Sequence, residues 1–130
     1  MDEIGVMLYG FDELTARQVR EYLEKSNGRN VVLISGSRRE EDLIADILGD
    51  EEYSVFEDIP DPKIVMFLGF DGPAIHTSMD NFPRFQGMIR PIFCTPTEEN
   101  IGWPLKDLVQ DLMEEREYFR RMDQQRRSGE

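Results

Sequence analysis

A single cysteine, Cys94, leaves the chain unable to close an internal disulfide, and that scarcity points to a reducing compartment. The one histidine, His76, makes with it the only thiol–imidazole pair, too few nitrogen and sulfur ligands for a zinc site. Acids are plentiful, yet none follow the spacing of a calcium loop with its central glycine. No apolar run approaches the roughly 20 residues of a membrane helix. The opening MDEIGVMLYG places acids where a secretory signal carries basic residues, and glycine breaks its apolar run. The expected setting is cytoplasmic, with no cofactor and no metal.

Basic residues are also in short supply. Fifteen Lys and Arg against 27 Asp and Glu give a net charge of −12, a surface that repels phosphate backbones and anionic membranes. Nucleic acid and lipid are therefore disfavoured as partners. The imbalance is uneven, with net −9 over residues 1–59 and net −3 over 60–130, and it also serves simply to keep the chain soluble. A length of 130 residues suits one domain with its own core.

What is present is a repeated pattern. Ile4–Tyr9 is a short apolar run ended by Gly10, a buried-strand signature. Asp12 caps the helix that follows, Ala16, Val19, Tyr22 and Leu23 share one of its faces, and Asn27-Gly28 ends it. Val31–Ile34 is a β-branched run and hence a second buried strand. Ser35-Gly36-Ser37 turns into a second helix carrying Leu43, Ile44, Ile47 and Leu48. The stretch DEEYSVFEDIPDP, with six acids and two prolines, reads as a connector with a brief edge strand at Tyr53–Phe56. Strand Ile64–Leu68 then restarts the pattern, and Pro73 suits the first turn of a helix that Pro83 closes. A strand at Ile92–Cys94 and a long helix after Pro104 complete it.

The heptapeptide VMLYGFD at 6–12 recurs as VMFLGFD at 65–71, five of seven residues identical at an offset of 59. At the same offset VVLIS aligns with RPIFC, and after six inserted residues DLIADIL aligns with DLVQDLM. The expected architecture is a single α/β domain of two duplicated βαβα halves, 1–49 and 63–121. An acidic connector, 50–62, joins them and a charged tail, 122–130, follows. A right-handed crossover within each half and central first strands give a four-stranded, mainly parallel sheet in the order 2-1-3-4. A fully parallel sheet would bring the turns Gly10–Asp12 and Gly69–Asp71 together at a switch point where ligands bind. An antiparallel meeting of the halves would send them to opposite edges, and the residues do not choose between the two.

Few residues carry chemistry. In LISGSRRE the small residues Ser35, Gly36 and Ser37 precede Arg38 and Arg39 at a strand's C-terminal end, a combination able to hold a phosphate or carboxylate. It is no P-loop, lacking the second glycine and the lysine before Ser or Thr. The bland alternative is a Ser37 cap beside two solvated arginines. Gly10, Asp12, Gly69 and Asp71 are the other candidate ligand-binding residues. Each is explained without a ligand, the glycines by tight turns and the aspartates by helix caps. Cys94 near a helix start would be an activated thiol only with a partner to orient His76, and nothing marks one out; a buried structural cysteine and an ordinary helical histidine are the better account. The last helix runs on through EREYFRRMDQQRRSGE, where Phe119 and Met122 continue the apolar stripe among Arg116, Arg120, Arg121, Arg126 and Arg127. A protein partner or a second copy could pack there, or the terminus could be fraying and solvated.

From residue 63 to about 121 the chain resembles the domain of unknown function 3783 family of prokaryotic proteins. The residues that carry the resemblance are IVMFLGF and CTPTEENIGWPLKDLVQDLMEEREYF. The Thr95-Pro96-Thr97 turn, Trp103, Glu115 and Tyr118 follow the family pattern, while Glu98 stands in place of its asparagine and Arg116 in place of its histidine. The resemblance implies no activity. The residues favour a non-catalytic interaction or regulatory module, homodimeric through the last helix. A small anionic-ligand or nucleotide-binding domain is the second reading and a thiol-dependent enzyme the third.

Overall fold

A computed structural model describes residues 3–128. The elements in chain order are β1 (Ile4–Tyr9), α1 (Glu13–Asn27), β2 (Val31–Ser35), α2 (Ile44–Leu48), β3 (Ile64–Leu68), α3 (Gly72–Asp80), β4 (Ile92–Cys94) and α4 (Leu105–Ser128). They form a single α/β domain around one sheet of order β2-β1-β3-β4. That order agrees with the sequence-based expectation. The mainly parallel sheet does not: β1 lies parallel to β2 and β3 parallel to β4, but β1 and β3 are antiparallel, so the sheet is mixed.

The reversal has a local cause. A full crossover would return the chain to the edge where β1 began, but α2 is five residues, roughly 7.5 Å of helix against ~20 Å of strand. The connector therefore stays at the C-terminal edge of β1 and β2, where the Ile59 amide donates to the Gly10 carbonyl at 3.0 Å. From that edge β3 can only run back against β1. Its register pairs Met7 with Met66, flanked by Val6 with Phe67 and Leu8 with Val65. Met7 and Met66 are the second residues of the recurring heptapeptides, so the pairing is centred on the recurrence.

The strand termini show why the Gly-Phe-Asp turns recur. Gly10 and Gly69 adopt φ of +88° and +77°. A β-carbon on Gly10 would lie 2.8 Å from the Pro62 carbonyl oxygen, and one on Gly69 2.9 Å from that of Glu3. Each glycine thus passes the backbone entering the antiparallel neighbour. Asp12 and Asp71 cap α1 and α3, accepting from the Thr15 amide at 2.7 Å and the Ala74 amide at 2.8 Å. Phe11 is fully buried beneath α1.

Helices cover both faces. Ile4, Val6, Leu8, Val65 and Phe67 point towards α1 and α3, where Phe67, Phe82 and Phe93 stack edge-on and face-on. Met7, Ile34, Ile64 and Met66 point towards α2 and the first half of α4, meeting Ile44, Ile47, Leu105, Leu108 and Leu112. On that face the starts of α2 and α4 are stitched together. The Ile44 amide donates to the Trp103 carbonyl and the Leu105 amide to the Asp42 carbonyl, both at 2.9 Å, around an antiparallel bridge between Leu43 and Pro104.

Several sequence-based details are corrected by this geometry. Gly5 pairs with Val32 whereas Ile64 pairs with Ile92, so β2 and β4 correspond at an offset of 60, not 59. Cys94 therefore stands where the first half has Ile34, not Ser35. The stitched helix starts, Ile44 and Leu105, lie 61 residues apart. Ser37 caps no helix, because its hydroxyl is held by the Glu57 amide, and α2 starts only after Leu43. Tyr53–Phe56 forms no strand.

The glycine geometry makes a graded prediction. Gly28 shares the left-handed conformation, φ +65°, but has open space around it. Gly28→Ala should cost about 1 kcal/mol of folding stability, the ordinary left-handed penalty. Gly10→Ala should cost roughly 2 kcal/mol or more, because the obstructing atom is backbone. Urea denaturation of both variants measures the difference, and equal losses would remove the close-approach explanation.

Candidate functional site

The parallel strands β1 and β2 end together, so Gly10–Asp12 and Ser35–Arg39 share one edge of the sheet. The Gly36 amide fixes the second loop by donating to the Leu8 carbonyl at 2.9 Å. The connector lies across this loop. The Ser35 hydroxyl donates to the Val55 carbonyl, the Glu57 amide to Ser37 Oγ at 3.1 Å, and the Tyr53 hydroxyl to the Ser37 carbonyl at 2.7 Å. Both serines are buried. Arg38, itself at φ 62°, places Nε 2.8 Å from Glu57. Arg39 donates to Asp42 at 2.7 Å and to Asp50 at 3.2 Å, and its guanidinium covers the Tyr53 ring at 4.9 Å.

The groups expected to receive an anion are thus engaged by the chain's own carboxylates and carbonyls. The two Gly-Phe-Asp turns are not brought together. Gly69–Asp71 sits at the opposite end of the sheet, beside Glu3 and Ile4, and Asp71 is solvent-exposed. Asp12 stays with the first edge, its carboxyl held below the usual carboxylate range chiefly by the Thr15 amide.

At the first edge the structure adds a residue that pattern reading passed over. Lys63, 5% exposed, sends its ammonium into the turn and donates to the Gly10 carbonyl at 2.5 Å, Asp58 Oδ1 at 2.7 Å and the Ile59 carbonyl at 2.9 Å. Three donors meet three acceptors, which is the condition for burying an ammonium. The signal in the sequence was a lone lysine opening a wholly apolar strand. Lys63, Asp12, Asp58 and Met88 line a cleft of about 380 Å³. Nearby, burial first and Glu40 second push the Tyr9 phenol well above its ordinary pKa.

The thiol and the imidazole lie apart. Cys94 packs on the α2/α4 face of the sheet, whereas His76 is exposed on α3 over the other face and contacts Asp80 at 3.1 Å. Burial pushes the Cys94 thiol up to about 12, so it is protonated at neutral pH. Among the described residues no group of three His, Cys, Asp or Glu side chains could hold a metal ion. None of the described helices is long and apolar enough to cross a membrane.

The second region of interest is α4. Its buried side chains are Leu105, Leu108 and Leu112, and its last anchored residue is Arg116, which holds Asp61 through paired contacts of 2.8 and 3.0 Å. The Arg116 hydrogen bonds lower the Asp61 pKa, so this clamp holds at neutral pH and is lost as the pH falls through the depressed value. Beyond it every described side chain from Glu117 to Arg127 is exposed, including Tyr118 at 58%, Phe119 at 60% and Met122 at 41%. Phe119 also borders a groove of about 600 Å³ with Met79, Pro91, Ile92 and Leu112.

Residues 63–119 match the family model of a domain of unknown function (DUF3783). The matched segment runs from the buried Lys63 through β3, α3 and β4 to Phe119 on α4, and leaves out β1, α1, β2 and α2. No curated protein and no solved structure matches the chain. Within the segment, the Thr-Pro-Thr turn closes on itself. Thr97 Oγ1 accepts from the Asn100 amide at 2.9 Å, Asn100 Oδ1 accepts from the Thr97 amide at 2.8 Å, and Asn100 Nδ2 reaches the Thr95 carbonyl at 3.2 Å. This reciprocal cap stabilises the 3-10 turn Asn100–Gly102 rather than α4 itself. Trp103 is half-buried against the α2/α4 core.

Two measurements test these assignments. Lys63→Met leaves buried carbonyls short of a donor and should cost about 1–3 kcal/mol in urea denaturation, and an unchanged midpoint would show the ammonium to be dispensable. Cys94 should resist iodoacetamide at pH 7 in the folded protein and react once denaturant is added. Rapid native alkylation would contradict its protonated, half-buried state.

Proposed function

We propose that this protein is a non-catalytic interaction module whose contact surface is the free end of α4. The observation that carries the reading is the exposed aromatic and apolar group Tyr118, Phe119 and Met122 on a helix continuing past its last anchor at Arg116. A helical extension of about twelve residues is marginal in water unless its apolar face is covered. The pairs Glu117–Arg121 and Asp123–Arg127 supply only a few tenths of a kcal/mol each. The state of the chemical groups elsewhere supports the same reading. An anion at Ser35–Arg39 would have to displace Glu57 from Arg38 and both Asp42 and Asp50 from Arg39. A thiol mechanism would have to ionise Cys94 against a thiol pKa raised by its half-buried setting. Part of the proposal is an internal duplication of a βαβα unit, supported by the register centred on Met7 and Met66 and by the reciprocal bridge at Leu43 and Pro104.

The test is a photo-crosslinking side chain at position 118, irradiated in the native cell. The expected outcome is one or a few adducts of discrete mass that disappear when Phe119→Glu is introduced alongside. Absence of any adduct, or adducts indifferent to Phe119→Glu, would defeat the reading.

A further inference from the structure

Resting on that reading, we infer that the partner of α4 is α4 of a second copy, lying antiparallel. Charge is divided unevenly along α4. Residues 105–117 carry two basic and five acidic side chains, net −3, whereas residues 118–128 carry four basic and one acidic, net +3. A helix with opposite charges on its two halves is complementary to itself when reversed, and repels itself when aligned in parallel.

The apolar stripe fixes the register. Leu105, Leu112, Phe119 and Arg126 recur every seven residues, and Leu108, Glu115 and Met122 form the second row, a coiled-coil spacing. The sheet covers the beginning of both rows and leaves Phe119 and Met122 bare. Reversing one helix on the other with the two-fold axis between Arg120 and Arg121 sets Phe119 of each copy against Met122 of the other. The same register sets Glu115 of each copy against Arg126 of the other. One alignment thus satisfies the apolar pair and the charged pairs together. Phe119 already borders the groove with Met79, Ile92 and Leu112, so the Met122 side chain of the second copy extends an existing apolar surface.

The pairing is isologous, each contact occurring twice, as a two-fold dimer requires. Its charged layers are open to solvent, so the association weakens as salt screens them.

Sedimentation equilibrium of the full chain at low salt tests the assignment. A monomer–dimer equilibrium is expected, and Glu115→Arg or Arg126→Glu alone should weaken it at least about tenfold. The two substitutions together restore opposite charges across an antiparallel pair and should return the dissociation constant to near the parent value. Both positions are solvent-exposed, so unchanged circular dichroism is the control for folding. A chain that stays monomeric to ~1 mM, or a double variant no tighter than the singles, overturns the antiparallel self-pairing. The photo-crosslink at position 118 separates the two levels. Adducts of the doubled chain mass support self-pairing, and adducts of another mass overturn it while leaving the interaction module standing. The absence of adducts removes both.

Discussion

The antiparallel pairing of β1 with β3 is the constraint on which the rest of this structure depends. Among the described residues it is the only direct sheet contact between the two halves of the chain, and its register decides what each half meets. With Met7 opposite Met66, the end of β1 falls beside the entry to β3 and the end of β3 beside the entry to β1. Each strand must then turn away past its neighbour's backbone within one residue, and only glycine permits that at positive φ with a carbonyl under 3 Å from any β-carbon. The conformation of Gly10 and Gly69, the caps at Asp12 and Asp71, and the separation of the two turns all follow. A switch-point pocket between the halves is incompatible with this pairing, because the two sets of strand C-terminal ends point in opposite directions.

The acidic connector is the second consequence. Kept at one edge by the shortness of α2, it is pinned by four basic side chains drawn from three places in the fold. Asp50 meets Arg39, Glu57 meets Arg38, Asp58 meets Lys63 and Asp61 meets Arg116. Two of these pairs, Glu57–Arg38 and Asp61–Arg116, are solvent-exposed and individually weak. Lys63 differs, because its buried ammonium ties Asp58, Ile59 and Gly10 into one hydrogen-bonded knot. The acids that make the first half so negative are therefore partly internal counter-ions. The loop that most resembles an anion site in the sequence is the loop to which this strap is fastened.

How much could be read in advance divides along physical lines. Strand and helix positions were legible because apolar period and punctuation are local: Ile4–Tyr9, Ile64–Leu68 and Ile92–Cys94 were bounded to the residue, and Asp12, Gly28 and Pro73 marked helix ends as expected. The strand order followed from crossover geometry. The direction of β3 was not legible, because it depends on where a proline-rich connector travels, and no residue between 50 and 62 encodes a direction. The one-residue shift that puts Cys94 opposite the place of Ile34, not Ser35, was hidden because an ungapped alignment scored well. The candidate site failed in a different way. Ser35, Ser37, Arg38 and Arg39 do gather at a strand end as the pattern indicated, but whether they face solvent depended on Val55 and Glu57, about 20 residues away. Lys63 was overlooked because a single charge at a strand boundary ordinarily reads as a solvated end.

The length of α4 completes the argument. Among the described residues no strand exceeds six residues, about 20 Å, while a 24-residue helix is about 36 Å long, so the sheet ends beneath α4 near Leu112. A helix meant only to cover the sheet would end there, with glycine or proline as α1 and α3 do. Instead the sequence continues with Arg116 clamped on Asp61, then Phe119 and Met122 at the spacing of Leu105, Leu108 and Leu112. Helix-forming residues fill the positions between, and no breaker appears before Gly129. The clamp has a mechanical meaning in that setting: it fixes the direction in which the helix leaves the domain. A solvated tail has no need of a fixed exit direction, whereas a helix that must meet a partner along a defined face does. The charge reversal begins just past the clamp, so the segment that departs is basic on an otherwise acidic chain. Exit angle, apolar stripe and charge are set within a dozen residues of one another, and it is their coincidence, more than any one of them, that supports the proposal of an interaction helix over a frayed end.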